Sequence, residues 1–165
     1  MGIKRIGRHL LANRSRVREA FSPVALANIE RAIKASEARH AGQIRFVVEG
    51  ALDGAPLLRN QAPRARAIDV FSHLRMWDTA HNNGVLIYLL LADRDVEILA
   101  DRGIDAKVTK VEWENICRAM EAEFGKGNFQ AGALKGIEAV SRHLAKHFPK
   151  HGAGANELPD APVVM

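Results

Sequence analysis

The sequence is poor in cysteine and aromatic residues, and it has no long apolar run. Cys117 is the only cysteine among 165 residues, so no disulfide can form within the chain. Aromatic residues make up 5% of the composition, which predicts a mainly aliphatic core. The longest apolar segment, Val85 to Ala92, is too short to cross a bilayer, and no signal-peptide run follows the basic N-terminus. We therefore expect a cytoplasmic protein without a transmembrane segment.

Several catalytic signatures are also missing. The sequence has no glycine-rich loop before Lys-Ser/Thr, no Gly-x-Ser-x-Gly motif and no dinucleotide fingerprint after its first predicted strand. These absences argue against NTP hydrolysis, serine hydrolysis and dehydrogenase chemistry. Cys117 lies at helical spacing from Trp113 and Met120, which predicts a small buried thiol and not a nucleophile.

The positive charge is concentrated at the N-terminus. Of 24 basic and 19 acidic residues, six basic residues and one acidic residue lie within the first 21 positions, so the remainder is balanced. This distribution argues against a nucleic-acid groove on the fold. The basic residues alternate with an apolar stripe: Ile3, Ile6, Leu10, Val17 and Phe21. Such an arm can pack on its own domain, bind a protein partner or an anionic membrane surface, or stay disordered, and we favour the first.

The spacing of apolar residues and of helix signals predicts a single domain. Helices are expected at 23–40, 63–77, 109–124 and 128–148, and strands at 44–48, 85–91 and 96–100. We divide the chain into a basic amphipathic arm (1–21), an α/β domain (22–148) and a flexible tail (149–165), whose glycines and prolines show no periodicity.

The order of these elements indicates a three-layer α/β/α sandwich with a small mixed sheet. A strand-helix-strand unit implies a parallel pair with a right-handed crossover. The two strands at 85–91 and 96–100 are close enough to form an antiparallel hairpin. The first of them is apolar almost throughout, which indicates that helices cover both of its faces.

This hairpin would bring two distant polar segments together. Antiparallel pairing returns Asp101 to the turn formed by Asn82, Asn83 and Gly84. Oxygen ligands suit a hard cation such as Ca²⁺ or Mg²⁺. The candidate metal ligands are Asp78, Asn82, Asn83 and Asp101.

Two neighbouring residues add catalytic chemistry to this edge. Arg102 could bind a phosphate group, and His81 could protonate a leaving group beside a bound cation. The alternative is purely structural: the same residues end a helix, turn the chain and form a solvated loop.

Two further motifs are explained better by structure than by chemistry. Asp93 and Asp95 follow an apolar strand, as in haloacid-dehalogenase-type phosphatases, but the chain then returns as a strand and no partner lysine follows, so a hairpin turn is favoured. His143, His147 and His151 are spaced four apart, as in some zinc sites. A proline ends the helix before the third histidine, which favours exposed side chains near a helix C-terminus.

With these residues identified, the chain resembles the TPM domain family, named after a thylakoid-lumen phosphatase, a photosystem II repair factor and a receptor modulator. The resemblance spans roughly 23–148. It rests on Asn83-Gly84-Val85-Leu86-Ile87, the turn at Arg94, the strand ending in Asp101-Arg102-Gly103-Ile104, Trp113, and the glycines Gly132 and Gly136 of the final helix.

The resemblance implies a three-layer fold and several activities. Family members include a plant acid phosphatase, a bacterial protein that binds divalent metals, and factors for membrane-protein assembly or repair. Many members carry an acidic residue where this chain has Asn82, and often Thr-Gly-x-Gly where it has Ala100-Asp101-Arg102-Gly103. Compared with these members, the resemblance implies that the carboxylate at this edge comes from the other strand of the hairpin, from Asp101. We expect a non-catalytic binding or assembly module with a divalent-cation or anion site, the alternative being a weak metal-assisted acid phosphatase acting on phosphomonoesters.

Overall fold

The computed structural model describes residues 3–11, 14–152 and 154–165; residues 1, 2, 12, 13 and 153 of the predicted arm and tail lie outside it. Its helices are α1 (Ile3–Leu11), α2 (Arg14–Ala20), α3 (Pro23–Ser36), α4 (Gly54–Leu58), α5 (Pro63–His73), α6 (Arg102–Asp105), α7 (Lys110–Gly125) and α8 (Phe129–His147). Its strands are β1 (Gln43–Glu49), β2 (Gly84–Leu90), β3 (Asp95–Ala100) and β4 (Val163–Val164). The short helices α4 and α6 occupy stretches predicted as loops.

The strands form one mixed sheet in the order β3-β2-β1-β4. β1 and β2 are parallel, with Gln43 opposite Gly84, and β2 and β3 are antiparallel, with Val85 opposite Ala100. The predicted combination of a parallel pair and a hairpin is therefore confirmed.

Helices cover both faces of this sheet. One core contains apolar residues of α3, α7 and α8 packed on one face of β1 and β2, and a second core contains residues of α4 and α5 on the other face. All seven residues of β2 are buried, as the continuous apolar run of this strand predicts. The three-layer α/β/α arrangement is confirmed.

The N-terminal helix α1 docks on the turn between β2 and β3. The Arg5 guanidinium donates to the Asp93 carboxylate, with Nη2 2.7 Å from Oδ2. The buried His9 ring accepts the Leu52 amide at Nδ1 (2.9 Å), so its proton lies on Nε2, which donates to Asp93 at 3.1 Å. Of the alternatives for the arm, the described residues show the first: the arm packs on its own domain.

Aromatic contacts fix the next part of the arm. Val17 and Phe21 are each 1% exposed, and the Phe21 ring lies 5.7 Å from Phe46 and 5.6 Å from Phe129 between ring centroids. Leu10, by contrast, is 73% exposed. The second half of the apolar stripe therefore belongs to the core, while Arg16 and Arg18 beside it are exposed.

The C-terminal segment differs from the predicted flexible tail. Its end forms β4, which pairs in parallel with β1. Gln43 Oε1 accepts the backbone amides of Glu157 (3.0 Å) and Leu158 (2.8 Å), and Arg45 donates to the Pro159 carbonyl at 2.9 Å. Because polar side chains of β1 hold the backbone of this segment, its own side chains need no periodic pattern.

No helix among the described residues is both long and apolar enough to cross a membrane.

Truncating the Phe21 ring tests the docking of the arm. Phe21→Ala should lower the free energy of unfolding by about 3–5 kcal/mol, because it leaves a cavity among packed rings. Urea unfolding followed by circular dichroism measures this change. The matched control is Leu10→Ala, which removes an exposed side chain of the same arm and should stay within about 0.5 kcal/mol of the parent chain. A Phe21→Ala cost below about 1 kcal/mol would contradict this packing.

Candidate functional site

The loop between α5 and β2 is built from consecutive tight turns. Arg75 and Asn82 both have left-handed backbone conformations, with φ of 54° and 50°. The Asn82 amide donates to the Thr79 carbonyl at 3.3 Å, and the Asn83 amide donates to the Thr79 hydroxyl at 3.2 Å. Asparagine tolerates the left-handed region better than most residues, so Asn82 suits this position.

The hairpin brings the end of β3 to this loop. The Asp101 amide donates to the Gly84 carbonyl at 2.8 Å, and the Gly103 amide donates to the Asn82 carbonyl at 2.8 Å. The two polar segments that the sequence places almost twenty residues apart are thus direct neighbours at one end of the sheet.

Two glycines allow this close approach. A Cβ on Gly84 would clash with the Met76 carbonyl oxygen, and a Cβ on Gly103 would clash with the His81 carbonyl oxygen and lie 2.6 Å from that of Asn82. The glycines of the Asn-Gly and Asp-Arg-Gly motifs therefore have a steric role: they let two backbones meet.

Two oxygen atoms at this edge are buried and unpartnered. Asn83 is 0% exposed; its Nδ2 donates to the Ala41 carbonyl at 3.2 Å, while its Oδ1 has no partner among the described residues. Asp101 is 9% exposed; its Oδ1 accepts the Arg102 amide at 2.8 Å, and its Oδ2 is likewise unpartnered. Leaving such an acceptor unsatisfied costs about 1–3 kcal/mol, so these atoms are expected to meet a ligand or water.

The other candidate residues lie nearer the surface. The Asp78 side chain is 55% exposed and accepts a hydrogen bond from Arg75 at 2.7 Å. His81 and Arg102 are exposed, and Asn82 is half-buried. The hairpin therefore unites Asn82 and Asn83 with Asp101 and Arg102 through the backbone, while the Asp78 carboxylate is paired with a side chain of its own loop.

The buried ligand atoms that this edge offers are oxygens. In the described ranges, no group of three or more His, Cys, Asp or Glu side chains is arranged to hold a metal ion. A cation here would need amide oxygens beside the Asp101 carboxylate, and such a mixed oxygen set suits Ca²⁺ or Mg²⁺ better than Zn²⁺.

A cavity of about 500 Å³ adjoins this edge, with His81 on its rim and the C-terminal segment as one wall. Burial raises the pKa of Glu37 from 4.5 to about 7, and the nearby Asp160 adds to the effect. Burial likewise lowers the pKa of His40 to about 4. Glu157 of the same wall accepts the Ala80 amide at 2.8 Å, which ties the C-terminal segment to the candidate loop.

Sequence reasoning missed these cavity residues because they belong to different elements. Glu37 lies at the end of α3, and Glu157 and Asp160 lie in the segment predicted as a loose tail. One sequence signal pointed to a covering segment: Gln43, Arg45 and Glu49 alternate with apolar residues along β1. Polar side chains on a buried strand require partners, so a further segment had to lie against this strand.

The two secondary motifs have structural roles. Asp93 lies in the hairpin turn, as the structural interpretation predicts, and binds α1. The His143 ring packs against Trp113 in a tilted arrangement, with ring centroids 5.4 Å apart. Cys117, predicted as a buried thiol, is half-buried, and desolvation raises the pKa of its thiol to about 12, which keeps it protonated at neutral pH.

Comparisons with known proteins agree with this architecture. The family model described as TPM domain matches residues 17–143. The BA42 protein of the psychrophilic bacterium Bizionia argentinensis, solved by NMR, is 32% identical with a TM-score of 0.77; the match covers 88% of this chain and 95% of that one. No curated protein matches the chain.

Two more distant structures share the fold alone. The N-terminal domain of a protein from P. gingivalis is 19% identical with a TM-score of 0.62, covering 79% of this chain and 82% of that one. The N-terminal domain of the cg2496 protein from Corynebacterium glutamicum is 16% identical with a TM-score of 0.57, covering 82% and 80%.

The raised pKa of Glu37 predicts a pH-dependent stability. Because the folded state holds this proton more tightly than the unfolded state does, the stabilisation is complete below about pH 4.5 and is lost as the pH rises through about 7. Glu37→Gln cannot ionise and its amide oxygen can still accept the Ile44 amide. It should therefore be more stable than the parent chain by roughly 2–3 kcal/mol at pH 8 and nearly equal to it at pH 4.5.

Urea unfolding at both pH values measures this difference, and other titrating groups cancel in the comparison. The control is Glu30→Gln, an exposed glutamate of the same helix, for which no such pH-dependent gain is expected. A Glu37→Gln difference that is equal at the two pH values would contradict the assignment.

Proposed function

The chain belongs to the TPM domain family, and from that premise we propose that it is a non-catalytic binding or assembly module with a divalent-cation site where β2 begins and β3 ends. The observation that supports this proposal is that two buried oxygens at this edge, Asn83 Oδ1 and Asp101 Oδ2, have no hydrogen-bond partner among the described residues. Both are acceptors, so a cation satisfies them and an anion does not. Carboxylate and amide oxygens are the ligands that Ca²⁺ and Mg²⁺ take.

Further ligands are available within the same loop. Asn82 is half-buried beside Asn83 and offers an amide oxygen. Asp78 could bind the ion only after its ion pair with Arg75 is broken. That pair is exposed, and exposed ion pairs contribute little to stability. Water can fill the remaining positions, as it commonly does around these ions.

Turnover is less well supported than binding. A general acid needs a fixed orientation toward the group it protonates. His81 is exposed, and within the described part of the chain no hydrogen bond fixes its ring. Arg102 is exposed as well. Phosphomonoester hydrolysis with His81 as acid and Arg102 as phosphate ligand therefore remains the second candidate, which rests on the family alone.

The basic arm has a smaller part in this proposal. A protein partner or an anionic membrane surface at residues 1–21 would have to compete with Asp93, which already holds Arg5 and His9. Arg8, whose side chain is 54% exposed, and the exposed Leu10 are the parts of α1 that a partner could reach.

Ion-dependent thermal stability tests the cation site. At 100 times its dissociation constant, Ca²⁺ or Mg²⁺ should stabilise the fold by about 2.7 kcal/mol, which raises Tm by roughly 5–10 °C for a domain of this size. Asp101→Asn should abolish the shift, because its amide oxygen preserves the cap on the Arg102 amide while the charge is lost. Differential scanning fluorimetry measures both.

The matched control is Asp105→Asn, an exposed carboxylate one turn further along α6, which should leave the shift unchanged. If neither ion raises Tm, or if both variants behave like the parent chain, the site is refuted. Hydrolysis of para-nitrophenyl phosphate decides the second candidate: a tenfold loss in both His81→Ala and Asp101→Asn would favour catalysis over binding alone.

A further inference from the structure

β3 is one of the two edge strands of the sheet and, with six residues against the two of β4, by far the longer one in the described residues. The Asp101 amide points toward β2, where it meets Gly84. Because backbone groups alternate in direction along an antiparallel strand, those of Val96 and Ile98 point away from β2. Outward-facing backbone groups of an edge strand are a template for pairing with another chain wherever nothing else binds them.

Side chains from both helical layers cap these backbone groups. Glu121 of α7 accepts the Val96 amide at 3.0 Å. Arg64 of α5 donates to the Ile98 carbonyl at 2.7 Å and, with the same nitrogen, to Glu97 at 3.0 Å. The caps reach the strand from opposite faces of the sheet, so together they close its edge.

There is room beside the strand for another backbone. A groove of about 590 Å³ runs along this edge between α5 and α7, with Val96 and Ile98 on one side and Trp113 and Arg118 on the other. The Trp113 ring nitrogen is buried there without a hydrogen-bond partner among the described residues.

A second copy of this chain fits the edge by symmetry. In a two-fold antiparallel pairing, Val96 of one copy faces Ile98 of the other, and each pair exchanges the amide and carbonyl that now bind side chains. The same register sets the two Glu97 side chains directly opposite each other, and like charges at such positions are destabilising.

We propose that β3 is a self-pairing edge that Glu121, Arg64 and Glu97 hold closed. With these side chains in place the chain is monomeric, and without the two caps it dimerises through β3. This arrangement is independent of the proposed cation site, which lies where β3 ends.

Removing both caps tests the proposal. The double variant Arg64→Ala/Glu121→Ala should show a dimer dissociation constant at least tenfold lower than the parent chain in analytical ultracentrifugation. The control is Glu114→Ala/Arg118→Ala, which removes the same two charge types from the same groove, where the Arg118 guanidinium binds Asn115 and the Glu114 carboxylate binds Lys110. A double variant as monomeric as the parent chain overturns the proposal, and so does a control that dimerises equally.

Disulfide trapping reports on the same contact without depending on the double variant. Glu97→Cys places a thiol at the centre of the expected pairing. Cys117 is half-buried and lines the same groove, so all of these variants carry Cys117→Ser, which leaves position 97 as the only thiol. Under mild oxidation, cross-linking should be at least tenfold faster when Glu97→Cys is combined with Arg64→Ala or Glu121→Ala than when it is alone. Equal rates in these single-cap backgrounds overturn the proposal even if the double variant does not fold.

Discussion

The antiparallel pairing of β2 with β3 is the constraint on which the candidate site depends. Its last hydrogen bond, from the Asp101 amide to the Gly84 carbonyl, sets the end of one strand beside the start of the other. Gly84 and Gly103 let the surrounding loops come within contact distance of these backbones. The result is an edge where an amide oxygen and a carboxylate oxygen are buried without hydrogen-bond partners among the described residues, and each such acceptor costs free energy.

The rest of the structure supports this edge from several directions. β1 pairs along the full length of β2, and the C-terminal segment lies on β1 and binds the Ala80 amide through Glu157. At the opposite end of the sheet, Arg5 of α1 binds Asp93 of the hairpin turn. The N-terminal arm thus fixes the hairpin at its turn, and the segments around the candidate site fix it at its open end. A site held at both ends is better suited to binding a ligand in place than to changing its conformation.

The layers, the parallel pair, the hairpin and the return of Asp101 to Gly84 could be predicted from sequence, because period-2 and period-3.6 patterns report burial directly. The docking of the C-terminal segment could not, because backbone amides bound by Gln43 leave no pattern in the bound segment. The same limit applies to the site: the sequence groups Asp78 with Asp101, while the structure pairs the Asp78 side chain with Arg75. Which side chains converge depends on rotamers and on nearby partners, and these are properties of the folded chain.

The most direct test of this account is a titration of the ¹⁵N-labelled protein with Ca²⁺ and Mg²⁺ followed by amide NMR. Binding at the hairpin end predicts saturable shifts of the Asn83 side-chain amide and of the Asp101 and Arg102 backbone amides. Shifts confined to another acidic region, such as the Asp95 and Glu121 end of β3, would contradict it. So would the absence of any saturable shift at about 10 mM ion, well above the dissociation constants of weak protein calcium sites.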